Sequence, residues 1–174
     1  MNSERIGYWC GVLGIIIGTT SVAIAIVISP WFSFTDNWLS DLGVRYPEAV
    51  FFNTGLILAG LLGSIFSLFF VKNMTGYILF VSTVSLMGVG LFPETTGPLH
   101  FYSSVMFFVS SILSMLLTGI KKDYHLKYIF VALAVISIAA WLPFVDLGRG
   151  AIREIVSSLC FSVFVLLLIY SLRK

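Results

Sequence analysis

The chain has 174 residues, of which 59% are hydrophobic and only 10% are charged. With a mean hydropathy of +1.04, it is not an ordinary soluble domain, since such domains carry roughly 25% charged residues. The formal net charge of +2 is too small to predict nucleic-acid binding, so we expect a membrane protein whose partners are membrane lipids.

Six apolar stretches are long enough to cross the hydrocarbon layer of a membrane, which takes about 20 residues of helix. They cover residues 6–29, 50–71, 76–92, 99–120, 128–144 and 153–172. Runs such as CFSVFVLLLIYSL are apolar on every side, unlike the alternating strands of a transmembrane barrel. The sequence therefore predicts an all-α, polytopic integral membrane protein, in which residues 1–174 form one bundle of six transmembrane helices.

The first predicted span contains two glycines, Gly14 and Gly18, that are four residues apart. Small residues at this spacing let two helix backbones approach closely. The pair can serve packing against another helix of the same chain, or it can support a homo-oligomer.

The connection between the first two spans, residues 30–49, is the longest outer loop. Thr35 or Asp36 can cap the start of a short helix, and Gly43 can end it. The tryptophans and tyrosine of this loop suit the headgroup layer, where an aromatic ring has one apolar flank and one wet edge. We expect an interfacial segment that lies over the bundle.

Lysine and arginine are divided unequally between the two sides of the predicted bundle. Seven lie on the side of the chain termini: Arg5, Lys72, Lys121, Lys122, Lys127, Arg173 and Lys174. Three lie on the other side: Arg45, Arg149 and Arg153. Because cytoplasmic loops carry the excess of basic residues, we predict a multi-pass protein of the cell membrane with both termini in the cytoplasm.

Polar side chains collect on the predicted outer side, which holds six of the eight carboxylates. A charge near the membrane boundary is costly unless it is paired or belongs to a site. We therefore predict an outward-facing polar pocket that binds a lipid headgroup or a small polar ligand. Its predicted lining is Ser40, Asp41, Asn53, Glu94, His100, Ser104, Arg153 and Glu154. The alternative is that the arginines pair with the carboxylates and hold the helix ends together.

Catalysis by this pocket would depend on His100 and Glu94, because a general acid or base needs a group that titrates near the working pH. A membrane-embedded lipid hydrolase or transferase with His100 as acid or base is therefore an alternative function. Ser103 or Ser104 beside His100 suggests a nucleophile. Residues one helical turn apart, however, usually point along the helix surface rather than into a hydrogen-bonded catalytic geometry.

Neither a cofactor nor a metal ion is predicted. A zinc site needs three or four converging ligands, dominated by His or Cys. The outer side has only one histidine, so a metal would depend on His100 together with Asp41, Glu94 and Glu154.

A stripe of hydroxyl side chains follows one face of the fourth predicted span. Its members are Ser104, Ser111, Ser114 and Thr118. A hydrated path along this stripe would favour a transporter, whereas a tightly packed stripe would favour a scaffold, and this non-catalytic class is the third alternative.

Four segments occur in a fixed order along the chain: NWLSDLG, FFNTGLILAGLL, GVGLFPE and LHFYSSVMFF. They resemble the six-span prokaryotic and archaeal membrane proteins catalogued as domain of unknown function 998. The resemblance spans nearly the whole chain and implies a six-helix membrane fold without implying an activity. The recurring polar positions of that family correspond to Ser40, Asp41, Asn53, Glu94 and His100 of this sequence.

Overall fold

The structure, a computed structural model, describes residues 3–121, 125–142 and 146–172. Within these ranges the chain forms six α-helices: α1 Ser3–Val27, α2 Glu48–Phe70, α3 Met74–Leu91, α4 Pro98–Gly119, α5 Lys127–Ala140 and α6 Ala151–Leu172. Two 3₁₀ helices, Leu39–Gly43 and Glu94–Thr96, lie in the α1–α2 and α3–α4 connections. The predicted all-α membrane bundle is confirmed. Three of the lysines and arginines used to predict the orientation, Lys122, Arg173 and Lys174, lie outside the described residues, and so does Asp123, one of the eight carboxylates.

Five of these helices are long and apolar enough to cross a membrane, and α5 is the exception. Its 14 residues rise about 21 Å at roughly 1.5 Å per residue, which is less than the ~30 Å of a hydrocarbon layer. The predicted fifth span was too long at its end, since α5 stops at Ala140. Pro143 disfavours helical backbone in the residue before it, which accounts for a stop near this point. Residues 143 and 144 themselves lie outside the described residues.

Each helix packs on the next one along the chain, and α6 returns to touch both α4 and α1. We call the end of the bundle that holds both 3₁₀ helices and the first residues of α2, α4 and α6 the carboxylate end. One buried cluster has Phe66, Phe130 and Phe164 among its largest members. A second cluster around Leu42 and Phe52 lies beneath the first 3₁₀ helix. The carboxylate end is therefore an ordered cap rather than a set of loose loops.

The two glycines of α1 face α2. A Cβ on Gly14 would lie 3.3 Å from the carbonyl oxygen of Ala59, and a Cβ on Gly18 would lie 3.0 Å from the Cβ of the same alanine. The small-residue spacing therefore serves close helix packing within one chain. A homo-oligomer through Gly14 and Gly18 stays a prediction.

The α1–α2 connection folds over the start of α6. The N–H of Arg149 donates to the carbonyl of Thr35 at 2.6 Å, and the N–H of Ala151 donates to the carbonyl of Asn37 at 2.9 Å. These two backbone hydrogen bonds join segments that are more than 110 residues apart in sequence. They hold the α1–α2 connection as a cap over the bundle.

The short helix expected in this loop ends at Gly43 as predicted, but its start differs from the prediction. It begins at Leu39 with Trp38 as N-cap, and the Trp38 N–H donates to Oδ2 of Asp41 at 3.0 Å. Asp36 does not cap it, because its carboxylate accepts a hydrogen bond from Ser33 at 2.5 Å in the turn before. The helix is consequently shorter than the sequence indicated.

Candidate functional site

A cavity of about 370 Å³, partly open at the surface of the bundle, lies between α1 and α6, and α2, α3 and α4 complete its walls. Most of its lining is apolar, including Phe52, Phe107 and Phe161. Its volume falls within the range of roughly 300–1,000 Å³ that is typical of small-molecule sites. We call it the central cavity.

Three polar side chains lie where the central cavity meets the carboxylate end: Ser40, Ser104 and Glu154. They come from the first 3₁₀ helix, from α4 and from the first turn of α6. Glu154 is only 8% exposed, and its Oε2 accepts a hydrogen bond from the N–H of Leu39 at 2.6 Å. This bond joins the 3₁₀ helix to α6, so three distant segments define the polar end of a space whose lining is mostly apolar.

His100 and Ser104 form a hydrogen-bonded pair on α4. Oγ of Ser104 lies 3.2 Å from Nε2 of His100, and Nδ1 of His100 lies 2.7 Å from the carbonyl oxygen of Phe92. Since a carbonyl oxygen only accepts, Nδ1 carries the proton of the neutral ring, and Nε2 accepts from the Ser104 hydroxyl. The expectation that residues one turn apart would not form such a bond is wrong for this pair.

Asp41 and Glu94 meet in a second, shallow recess at the carboxylate end. Its volume is about 330 Å³, and its lining is Trp31, Asn37, Asp41, Val44, Arg45, Glu94 and Thr95. The two carboxyl groups interact, and each shifts the pKa of the other. The side-chain amide of Asn37 donates to Oδ2 of Asp41 at 2.9 Å. The two acids therefore interact with each other across the two 3₁₀ helices.

The two carboxyl groups titrate as a pair. The hydrogen bond to Asp41, followed by burial and the negative charge of Asp41, raises the pKa of Glu94 to about 7. Burial opposes ionisation of Asp41, but hydrogen bonds from Glu94, Asn37 and the Trp38 N–H outweigh it and lower the pKa of Asp41. The pair thus holds one proton, on Glu94, up to about neutral pH.

Asn53 connects α2 to the end of the first 3₁₀ helix. Its Nδ2 donates to the carbonyl of Gly43 at 2.9 Å. A Cβ on Gly43 would lie 2.6 Å from Oδ1 of Asn53, so the glycine is needed for this approach. In the described part of the chain, Asn53, His100 and Arg153 line neither the central cavity nor the recess. The predicted single pocket is therefore divided.

Arg45 of the carboxylate end contacts an aromatic ring. Its guanidinium lies 4.5 Å from the centre of the Trp31 ring, and Nε1 of Trp31 donates to Glu48 at 2.8 Å. Arg149 acts on Asp41 and Glu94 through its charge, which favours ionisation of both acids. Trp31 was not among the predicted site residues, although its place in the headgroup layer was the available signal.

The four candidate metal ligands are also divided. Among the described residues, no group of three or more His, Cys, Asp or Glu side chains could hold a metal ion. His100 interacts with Ser104, and Glu154 accepts from the backbone of Leu39, whereas Asp41 and Glu94 interact with each other.

Below Ser104, the hydroxyl stripe of α4 is buried. Ser111, Ser114 and Thr118 are at most 1% exposed. Their hydroxyls donate at 2.8, 2.9 and 2.7 Å to carbonyl oxygens of α4 itself. Hydroxyls satisfied by their own helix are typical of close packing, and this arrangement favours packing over a hydrated path.

The five polar positions of the family resemblance all lie at the carboxylate end. Ser40 lines the central cavity, Asp41 and Glu94 line the recess, and Asn53 and His100 line neither. The family model described as "Protein of unknown function (DUF998)" matches residues 12–171. Comparison with curated proteins gives no match, and comparison with solved structures gives none either. Since the match covers nearly the whole chain, this chain belongs to the DUF998 family.

Proposed function

We propose that the protein binds a membrane amphiphile, with an alkyl or acyl chain in the central cavity and a polar headgroup at Ser40, Ser104 and Glu154. One observation carries this proposal: an apolar cavity inside a transmembrane bundle ends at a buried carboxyl group and two hydroxyls. Its chemistry matches a molecule that is apolar along its length and polar at one end. The carboxyl group favours a headgroup that is neutral or cationic.

Entry from the bilayer is supported by the position of the cavity between the first and last helices. Thr19 of α1 and Leu159 of α6 both line the cavity, and both side chains are exposed on the surface of the bundle. A chain can therefore enter sideways from the lipid without passing through water.

Selectivity would come from the polar end. Lipid tails are as apolar as the cavity wall, so moving a tail from the bilayer into the cavity gains little from the hydrophobic effect. A headgroup that hydrogen-bonds to Ser40, Ser104 or Glu154 adds an interaction that the tail cannot supply. We therefore expect affinity to depend on the headgroup more than on the chain length.

The proposed orientation places this polar end on the outer face of the cell membrane, with both termini in the cytoplasm. The excess of lysine and arginine on the opposite side supports it. A Thr95→Cys variant in a background without the two native cysteines should react with a membrane-impermeant maleimide on intact cells. Reaction only after the cells are opened would reverse the orientation.

The binding proposal is tested with a monoacylglycerol that carries pyrene at the end of its chain. The purified protein is placed in nanodiscs, and energy transfer from tryptophan to pyrene reports binding. Ser158 lines the cavity on α6, whereas Val163 on the same helix is 41% exposed and does not line it. Ser158→Phe should fill the cavity and weaken binding at least tenfold, and Val163→Phe is the matched control.

Saturable binding that is lost in Ser158→Phe and kept in Val163→Phe would support the proposal. Energy transfer that rises without saturation would show only partition into the disc and would overturn it. Equal affinities for the two phenylalanine variants would overturn it as well.

A further inference from the structure

Ser104 differs from the hydroxyls that follow it on α4. Ser110, Ser114 and Thr118 each donate to the carbonyl oxygen four residues earlier in the helix. Ser104 instead bonds to the imidazole of His100, although that residue also lies four positions earlier. Ser104 also lines the central cavity, so it combines a basic hydrogen-bond partner with a position beside a bound molecule.

His100 is held in the orientation that a base for Ser104 requires. Nδ1 donates to the carbonyl of Phe92, the residue that caps the end of α3, which directs Nε2 toward Ser104. Carbonyl oxygens at the end of a helix carry partial negative charge and stabilise an imidazolium ion. The Phe92 carbonyl is thus placed where positive charge on His100 would develop after proton transfer.

We propose that Ser104 and His100 act as nucleophile and general base and cleave a carboxylic ester of the amphiphile bound in the central cavity. This inference rests on the proposed binding function, because the cavity has to present the ester to Ser104. An acyl chain in the apolar space places its ester carbonyl at the polar end, where Ser104 lies. A hydroxyl, a base within hydrogen-bond reach and a group that orients the base are the parts that nucleophilic catalysis needs.

The reaction proceeds in two steps. Oγ of Ser104 attacks the ester carbonyl carbon while its proton moves to Nε2 of His100. The bond from that carbon to the alcohol oxygen breaks, and the departing oxygen takes the proton from His100, which leaves an acyl group on Ser104. Water then attacks the acyl carbon and gives a proton to His100. Ser104 recovers this proton as the carboxylic acid leaves.

Ser40, which lines the same cavity, is the candidate for assisting the first step. It lies at the same end of the cavity as Ser104, and a hydroxyl there can donate to the negative oxygen that forms on the carbonyl. Since one chain is proposed to lie in the cavity and Glu154 favours a neutral or cationic headgroup, the substrate class is a single-chain acyl ester of a neutral or cationic alcohol. A hydroxyl-bearing lipid in place of water would convert the hydrolysis into acyl transfer.

The test uses a dodecyl fluorophosphonate, which forms a covalent bond with an activated serine. Full-length protein in nanodiscs is incubated with the reagent, and the modified peptide is identified by mass spectrometry. Binding of the pyrene-labelled monoacylglycerol is measured on the same samples. The variants are Ser104→Ala, His100→Gln and Ser114→Ala, where Ser114 is a buried hydroxyl of the same helix that lines neither the cavity nor the recess.

We expect wild type and Ser114→Ala to be labelled at Ser104. Ser104→Ala should be unlabelled, and its binding of the pyrene-labelled monoacylglycerol should be weaker but still saturable, because it loses one of the hydroxyls at the polar end. His100→Gln should bind the probe but label roughly 100-fold more slowly or worse, since a general base typically contributes 10²–10⁴-fold. Hydrolysis of the pyrene-labelled monoacylglycerol should be fastest in wild type and Ser114→Ala, slower in His100→Gln and absent in Ser104→Ala.

Two results would overturn the inference, and they differ in what they say about binding. Wild-type protein that binds the probe but is not labelled at Ser104 would remove the catalytic pair and leave the binding proposal standing. Wild-type protein that does not bind the probe would remove both. If His100→Gln does not bind the pyrene-labelled monoacylglycerol, the comparison of labelling between wild type and Ser104→Ala still decides whether Ser104 is an activated serine.

Discussion

The proton shared by Asp41 and Glu94 leads to a specific prediction for Asp41→Asn. The substitution keeps the shape of the side chain and an oxygen that can accept from the Trp38 N–H. It removes the negative charge that faces Glu94. Two of the three causes that raise the pKa of Glu94, its hydrogen bond to Asp41 and the charge of Asp41, are then lost, and only burial remains.

The size of the effect follows from the two pKa values. With a pKa of about 7, Glu94 of the wild type is about 90% protonated at pH 6. In Asp41→Asn its pKa should fall toward the ordinary 4.5, so that about a tenth or less stays protonated at pH 6. Glu94 holds its proton more tightly in the folded protein than in the unfolded chain. Its contribution to stability is therefore complete below pH 4.5 and is lost as the pH rises through about 7.

The assay is the pH titration of glutamate side-chain carbon signals by NMR on protein in nanodiscs, with Glu94→Gln to assign the signal. Asp36→Asn is the matched control, because Asp36 is an exposed carboxylate whose hydrogen bonds go to Ser33 and Thr35. It should leave the midpoint of Glu94 unchanged. A wild-type midpoint near 4.5 would refute the reasoning, and so would a midpoint that stays near 7 in Asp41→Asn.

Two further predictions concern helix packing. A Cβ on Gly60 would lie 2.6 Å from both the backbone N of Met87 and the backbone O of Thr83. Gly60→Ala must therefore separate α2 from α3 and should lower the free energy of unfolding by about 1–3 kcal/mol or more. An unchanged thermal midpoint would contradict this prediction. Nε1 of Trp141 donates to Oγ of Ser157 at 2.9 Å, so Trp141→Phe should cost about 1 kcal/mol. Adding Ser157→Ala to it should cost less than Ser157→Ala alone, and strict additivity in denaturant unfolding would show that the bond contributes nothing.

The fold could be predicted because a bilayer demands long apolar helices, and the sequence displays them directly. The prediction was least accurate at α5, where apolar residues continue past the end of the helix at Ala140. Hydropathy does not distinguish a helix from an apolar segment that follows it. The N-cap at Trp38 was not predicted. Asp36 has the right chemistry for an N-cap, but its carboxylate accepts a hydrogen bond from Ser33 in the preceding turn, and the sequence does not show which of these roles it takes.

The polar residues of the site could be found by their depth in the membrane, but their partners could not. Depth places Asp41, Glu94, His100 and Glu154 at one end of the bundle, as observed. Which of them touch depends on the direction of each side chain and on the path of the 3₁₀ helices, and neither follows from spacing along the chain. The apolar part of the central cavity left no signal, because a helix face that lines a cavity and a face that touches lipid have the same apolar composition.

The acid pair Asp41 and Glu94 and the single acid Glu154 lie in different surroundings. Asp41 and Glu94 lie in a recess that is open at the surface, where their shared proton responds to the pH outside the bundle. Glu154 is buried at the end of the central cavity and is fixed by the backbone of Leu39, the residue that begins the first 3₁₀ helix. That 3₁₀ helix carries Asp41 as well as Ser40, so any change in the recess acts on a segment that also forms the polar end of the cavity. Ligand affinity should therefore be altered by Asp41→Asn, although Asp41 itself does not line the cavity.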